Sequence, residues 1–147
     1  MRFSCLLAIV LAFGLCAGVS AQNGTCKYKF QVPFTFVGYD TDFPAGEYDV
    51  SLLPMGTSMT VVKFAASDMK TAPTQLIQAR PGKQVRLDDG KAYLVFQKLG
   101  TVYLLKEYRD GLHSTAMRTP LSKERQFWER SYIAKHVHGE YVLIGAP

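Results

Sequence analysis

The chain has 147 residues, 48% of them hydrophobic and 20% charged, with a formal net charge of +5. That length suits one domain burying roughly two thirds of its unfolded surface, which excludes dependence on a metal or disulfide staple. The small positive excess favours solubility and weak attraction to anionic surfaces and says nothing about fold.

Met1 to Ala21 combine a charge at Arg2, an apolar run from Cys5 to Cys16 and a small-x-small end at Val19-Ser20-Ala21. This pattern predicts a signal peptide cut before Gln22, with an apolar run too short to anchor as a span. A lipid-attached Cys16 is disfavoured, because the bulky Leu15 stands where such signals need a small residue. The expected product, residues 22–147, is a single β domain in the periplasm or outside the cell, with no transmembrane segment. In that setting the anionic surfaces to consider are envelope polymers or lipid head groups rather than nucleic acid. Removing the signal leaves Cys26 alone, unable to form an internal bridge. It reads as a reactive thiol or intermolecular link, or more plainly as an incidental residue near the N-terminus. Asn23-Gly24-Thr25 fits the glycosylation sequon by its letters.

The body of the chain has the period of strands. Tyr28, Phe30, Val32, Phe34 and Phe36 fall on one face, and Lys29, Gln31, Pro33 and Thr35 on the other. Pro33 lacks a donor and predicts an edge strand or bulge. A loop from Gly38 to Ala45 ends in Phe43-Pro44-Ala45-Gly46, which suits a type I turn. Tyr48, Val50 and Leu52 then alternate with Glu47, Asp49 and Ser51 in a partner strand. Leu53-Pro54-Met55-Gly56 reads as a turn, 58–65 as a strand of unassigned inner face, and 67–70 as a further turn. A weak strand covers 74–79, and Arg80 to Gly90, with Pro81-Gly82 and Asp88-Asp89-Gly90, reads as a polar loop. Ala92 to Lys98 and Thr101 to Tyr108, joined at Leu99-Gly100, are apolar on both faces, as central strands covered on two sides are. Asp110-Gly111 is a hairpin signal before a strand to Arg118.

Thr119 and Pro120 open the one convincing helix, about 120–135, with Thr119 as cap and Glu124 in its first turn. Leu121, Trp128 and Tyr132 share a face, predicting a helix that closes one side of the sheet with Trp128 as anchor. Its apolar stripe is narrow and its polar face mixes acids with bases, which disfavours a membrane-surface helix. A final strand is predicted over 136–145. On an extended strand His136, His138 and Glu140 project from one face, the spacing of a candidate zinc site with His113 or an acid as a further ligand. A solvent-facing edge explains the same row without a metal.

No Gly-x-Ser-x-Gly elbow, phosphate-binding glycine loop, Cys-x-x-Cys pair or His-Glu-x-x-His helix occurs, so no catalytic or cofactor-binding residue is assigned. The carboxylate pairs Asp40 with Asp42 and Asp88 with Asp89 sit in turn-forming segments. Together these features predict an all-β domain, a β-barrel or β-sandwich of about seven to eight antiparallel strands with one short helix toward the C-terminus.

The segments VPFTFVG, FPAGEYDV, KAYLVFQKLGTVYLLKEY and TPLSKERQFWER, in that order, resemble a group of small exported proteins of acidobacterial type. The resemblance covers roughly Tyr28 to Arg130. It implies a bacterial envelope or secreted setting and an all-β body followed by a short basic helix, and it carries over no catalytic residue. The tail after Tyr132 and Cys26 depart from that pattern. Two functions follow as expectations. One is a non-enzymatic binding or structural envelope module that takes an envelope polymer, a small apolar ligand or a protein. The other is a metal-binding protein or metal-dependent enzyme using His136, His138 and Glu140. A lipocalin-type carrier would need Gly-x-Trp on its first strand, which is missing.

Overall fold

The alternation at the start of the chain builds the core in the computed structural model, which describes residues 27–56, 59–67, 74–84, 90–110, 115–136 and 139–147. Phe30, Val32 and Phe36 are fully buried, and Tyr28 and Phe34 pack against them. The run is split between β1 (Lys27–Val32) and β2 (Phe36–Gly38), with Pro33 in the break. β1 pairs only with β4 (Gly46–Met55) and is an edge strand. Its outward lysines are held across the ladder, Lys27 on Asp49 at 2.9 Å and Lys29 on Glu47 at 3.0 Å.

The segment read as a plain loop contains a further strand, β3 (Thr41–Phe43), paired with β2 around Tyr39 and Asp40. Tyr39 takes φ 56, a left-handed turn conformation, so two short strands reverse between Phe36 and Phe43. This hairpin delivers Phe36 and Phe43 as a stacked pair, centroids 4.8 Å apart, into the core.

Pro54 lies inside β4, opposite Thr60 of β5 (Met59–Ala66), so the turn falls later than its proline suggests, with Gly56 at φ 73. In β5, Val62 and Phe64 face the core. β6 (Gln75–Gln84) runs on well past the predicted end at residue 79, and Pro81-Gly82 is part of it rather than of a loop. Its first half, Gln75 to Ala79, pairs with β5; its second half, from Arg80, pairs with β9 (Thr115–Arg118) across a shift in register. A strand that bends at such an irregularity passes from one layer to the other, which gives proline and glycine a place in mid-strand.

Beyond that corner lie β9, β8 (Val102–Arg109), β7 (Tyr93–Leu99) and β10 (Glu140–Gly145), with β2 running parallel to the start of β8. The protein is therefore all-β and sandwich-like, ten strands in one bent, open sheet, with a single helix, α1 (Lys123–Lys135), among the described residues. The sheet does not close into a barrel. β1 and β10 approach each other, yet each is paired on its other side alone. No helix among the described residues is long and apolar enough to cross a membrane.

β7 and β8 are apolar on both faces because both faces are covered. Leu94, Phe96, Leu105 and Tyr108 face the inner core. Leu99 and Leu104 form a second, outer cluster with Val37 and Leu121, closed by Trp128 and Tyr132 of α1. The β7–β8 turn carries Gly100 at φ 62, and a Cβ there would stand 2.7 Å from the Tyr132 hydroxyl. Glycine is thus required both by the turn and by the helix resting on it.

Phe64 is 1% exposed and its ring meets Phe36, Phe43 and Tyr48, whereas Phe127 on α1 is 74% exposed. Phe64→Ala is expected to cost about 3–5 kcal/mol and Phe127→Ala less than about 0.5 kcal/mol in urea denaturation. Burial raises the pKa of Tyr48, whose hydroxyl donates to the Pro44 carbonyl. A group so raised contributes stability in full below its unfolded value of 10.0, and that contribution is lost as pH rises through the folded value. Tyr48→Phe should therefore cost about 1 kcal/mol near neutrality, yet flatten the alkaline decline in stability.

Candidate functional site

Of the three residues in the candidate metal row, His136 and Glu140 do not share a strand. His136 is the C-cap of α1, its backbone N–H donating to the Tyr132 carbonyl at 3.0 Å and its ring stacked 4.3 Å from that of Tyr132. The last strand begins at Glu140, not at residue 136, because the helix and its cap take the chain through His136. Glu140 lies opposite Lys98 in the ladder, 3.9 Å from its ammonium. His138 and His113 lie outside the described residues, as do Met1 to Cys26 and the pair Asp88 and Asp89. Among the described residues no group of three His, Cys, Asp or Glu side chains is gathered for a metal.

Asp40 and Asp42, on the β2–β3 hairpin, hold the start of α1. Ser122 caps the helix: its hydroxyl accepts from the Arg125 N–H at 3.3 Å and donates to Asp40 at 3.3 Å. The Arg125 guanidinium reaches both carboxylates at 3.5 Å. The cap is Ser122 and not Thr119, because the Thr119 hydroxyl is spent on the Leu105 carbonyl at 3.0 Å.

That contact belongs to a bulge in β8. Val95 faces Glu107 and Phe96 faces Leu105, which leaves Lys106 as the extra residue. With Leu105 and Tyr108 both in the core, Lys106 and Glu107 both turn outward. Thr119 N–H donates to the Lys106 carbonyl at 2.9 Å, so the backbone freed by the bulge is satisfied.

Above this bulge runs an open groove of about 500 Å³ between α1 and the outer face of β6, β8 and β9. Its charged lining is Arg80, Lys106, Glu107, Arg118, Glu129 and Arg130, four cations against two carboxylates. Both carboxylates are already engaged. Glu129 holds Lys106 at 2.7 Å, and Glu107 holds Arg109 through two contacts at 3.0 and 3.1 Å. Arg80, Arg118 and Arg130 are exposed and have no carboxylate partner among the described residues.

Arg80 and Arg118 are directly opposed in the β6–β9 ladder. Like charges at opposed positions repel and weaken a sheet. A Cβ on Gly82 would meet the Arg118 Cγ at 3.0 Å and Nε at 3.2 Å, so the missing side chain gives the arginine room to lie along β6. Arg130 comes from the opposite wall, sharing a helical face with Gln126 and Glu129. Gln126 is tied to the Leu121 carbonyl at 2.7 Å. At one end stands Tyr141 of β10, 60% exposed.

Residue-by-residue reading missed this site. Arg80 reads as a loop residue, Arg118 as the end of a strand and Arg130 as part of a solvated helix face. Only the β6–β9 pairing brings the first two together, and no local pattern announces that pairing.

An all-β, sandwich-like fold with a basic groove under α1 is the class that fold and site define. The chain matches no protein-family model, no curated protein and no solved structure with which it was compared.

The two kinds of charge in the groove are expected to respond in opposite directions. Glu129→Gln removes the partner of a half-buried lysine and should cost about 1 kcal/mol. Arg80→Gln relieves an opposed pair and should leave stability unchanged or raise it by about 0.2–0.5 kcal/mol. Urea denaturation at low ionic strength checks both.

Proposed function

We propose that the protein is an exported, non-enzymatic binding module of a bacterial envelope or extracellular space, and that the groove beneath α1 is its working surface. The observation that carries the reading is the opposed, unneutralised Arg80 and Arg118 beside Arg130. Uncompensated charge that weakens the sheet is what a protein retains when an anion completes it. The aromatic interior supports the same reading. Phe36 alone packs against Phe43, Tyr48, Phe64 and Phe96, which directs the search for a ligand to the outer face. The pattern of Met1 to Ala21 supports export.

Expression of the full chain in a bacterial host tests the proposal. The product should be recovered from the periplasm or medium with its N-terminus at Gln22 by mass spectrometry. The purified protein should then sediment with isolated envelope and be released by salt. An uncleaved cytoplasmic product, or no sedimentation at low salt, overturns it. Stoichiometric bound metal that is lost in the double variant His136→Ala, His138→Ala would support the metal-binding reading instead.

A further inference from the structure

We infer that the groove takes an extended acidic polysaccharide, with Arg80 and Arg118 gripping its anionic groups from the sheet side, Arg130 from the helix side, and Tyr141 receiving a sugar face at the end. This rests on the binding-module reading above and adds the chemistry of the ligand.

Arginine presents a planar fork of donors that matches a carboxylate or sulfate with two parallel hydrogen bonds. On adjacent strands, opposed side chains start about 5 Å apart. Two forks at that spacing suit neighbouring oxyanions on one chain, or one anion held from both sides. The groove is open rather than enclosed, and a small ligand needs most of its surface buried. A chain lying along the groove spreads its contacts instead and leaves by either end.

The remaining lining narrows the class. Among the described lining residues the aliphatic side chains are Pro81, Pro120 and Leu121, too few for an acyl chain. Single-stranded nucleic acid binds on successive aromatic platforms, and among the described lining residues the only aromatic ring is Tyr141. One exposed tyrosine with spaced guanidinium groups is the inventory for charged sugars, where a ring covers the apolar face of a pyranose and the cations meet its acids.

The lining also separates grip from placement. Lys106 is occupied by Glu129 and works as structure, fixing the helix at its distance from β8. Gly82 is a positioning residue, since it sets where Arg118 lies. Arg118→Lys keeps the charge and loses the fork, so it distinguishes shaped recognition from bulk attraction.

The test measures binding of the purified protein to polygalacturonate and heparin, against neutral dextran, single-stranded DNA and anionic phospholipid vesicles, by titration calorimetry over a range of salt. At least one acidic polysaccharide should bind, dextran should not, and affinity should fall as salt rises. The double variant Arg80→Gln, Arg118→Gln should weaken binding roughly tenfold or more, with its thermal midpoint kept. Arg118→Lys and Tyr141→Ala should each weaken it several-fold. Lys63→Gln, which removes one charge outside the groove, should leave it unchanged.

Equal loss in Lys63→Gln and the arginine variants would reduce the effect to net charge and overturn the proposal. So would equal or tighter binding of DNA or vesicles. Sedimentation with envelope but no binding of either polysaccharide would sink the ligand assignment and spare the module reading; failure of both would remove the two together.

Discussion

Phe36 occupies the point where the two layers meet. Its ring stacks on Phe43, meets Tyr48 and Phe64 of one layer, and lies 5.1 Å from Phe96 of the other. These residues come from five different strands, so one close-packed cluster fixes the approach of elements distant in the chain. β2 is only three residues long and is held in place by this burial and by its parallel pairing with β8. The hairpin it forms with β3 then presents Asp40 and Asp42 outward to the helix. The inner aromatic packing and the outer placement of α1 are thus two sides of one short element.

The outer face follows from the inner one. Strands β7 and β8 fill the core with one side and leave Leu99, Val102 and Leu104 on the other, and that surface must be covered. α1 covers it with few apolar contacts, and none of its residues is fully buried. Polar ties make up the difference at both ends of the crossing, Arg125 with the hairpin aspartates and Glu129 with Lys106. A helix that leans on one part of a sheet leaves an angle beside it. The bend of β6 at Pro81-Gly82 and the bulge at Lys106 decide which side chains line that angle.

Much of this fold is legible in the sequence because it is local. The face Tyr28 to Phe36, the two-sided β7 and β8 and the glycine at their turn are properties of consecutive residues. What is illegible depends on partners far along the chain. Pro81-Gly82 punctuates like a loop, and only pairing with β5 on one side and β9 on the other makes it a bend within a strand. Thr119 has the chemistry of a cap, but the bulged carbonyl of Leu105 claims its hydroxyl and the start of the helix moves to Ser122. His136, His138 and Glu140 alternate in the sequence, yet the helix end takes the first and the strand starts at the third. The arginine groove combines both difficulties, since it needs the β6–β9 register and the helix crossing at once.

The two walls of the groove differ in how firmly they are held. One is a sheet anchored in the core through its other face; the other is a polar helix secured by a cap, three ion pairs and the rims of two aromatic rings. Elements with so little apolar contact detach well before a domain unfolds as a whole. A guest spanning Arg118 and Arg130 therefore bridges a fixed jaw and a loose one, and its occupancy is coupled to helix docking. Slower amide exchange would be concentrated in α1, while the strands beneath, already at the global limit, would register almost nothing.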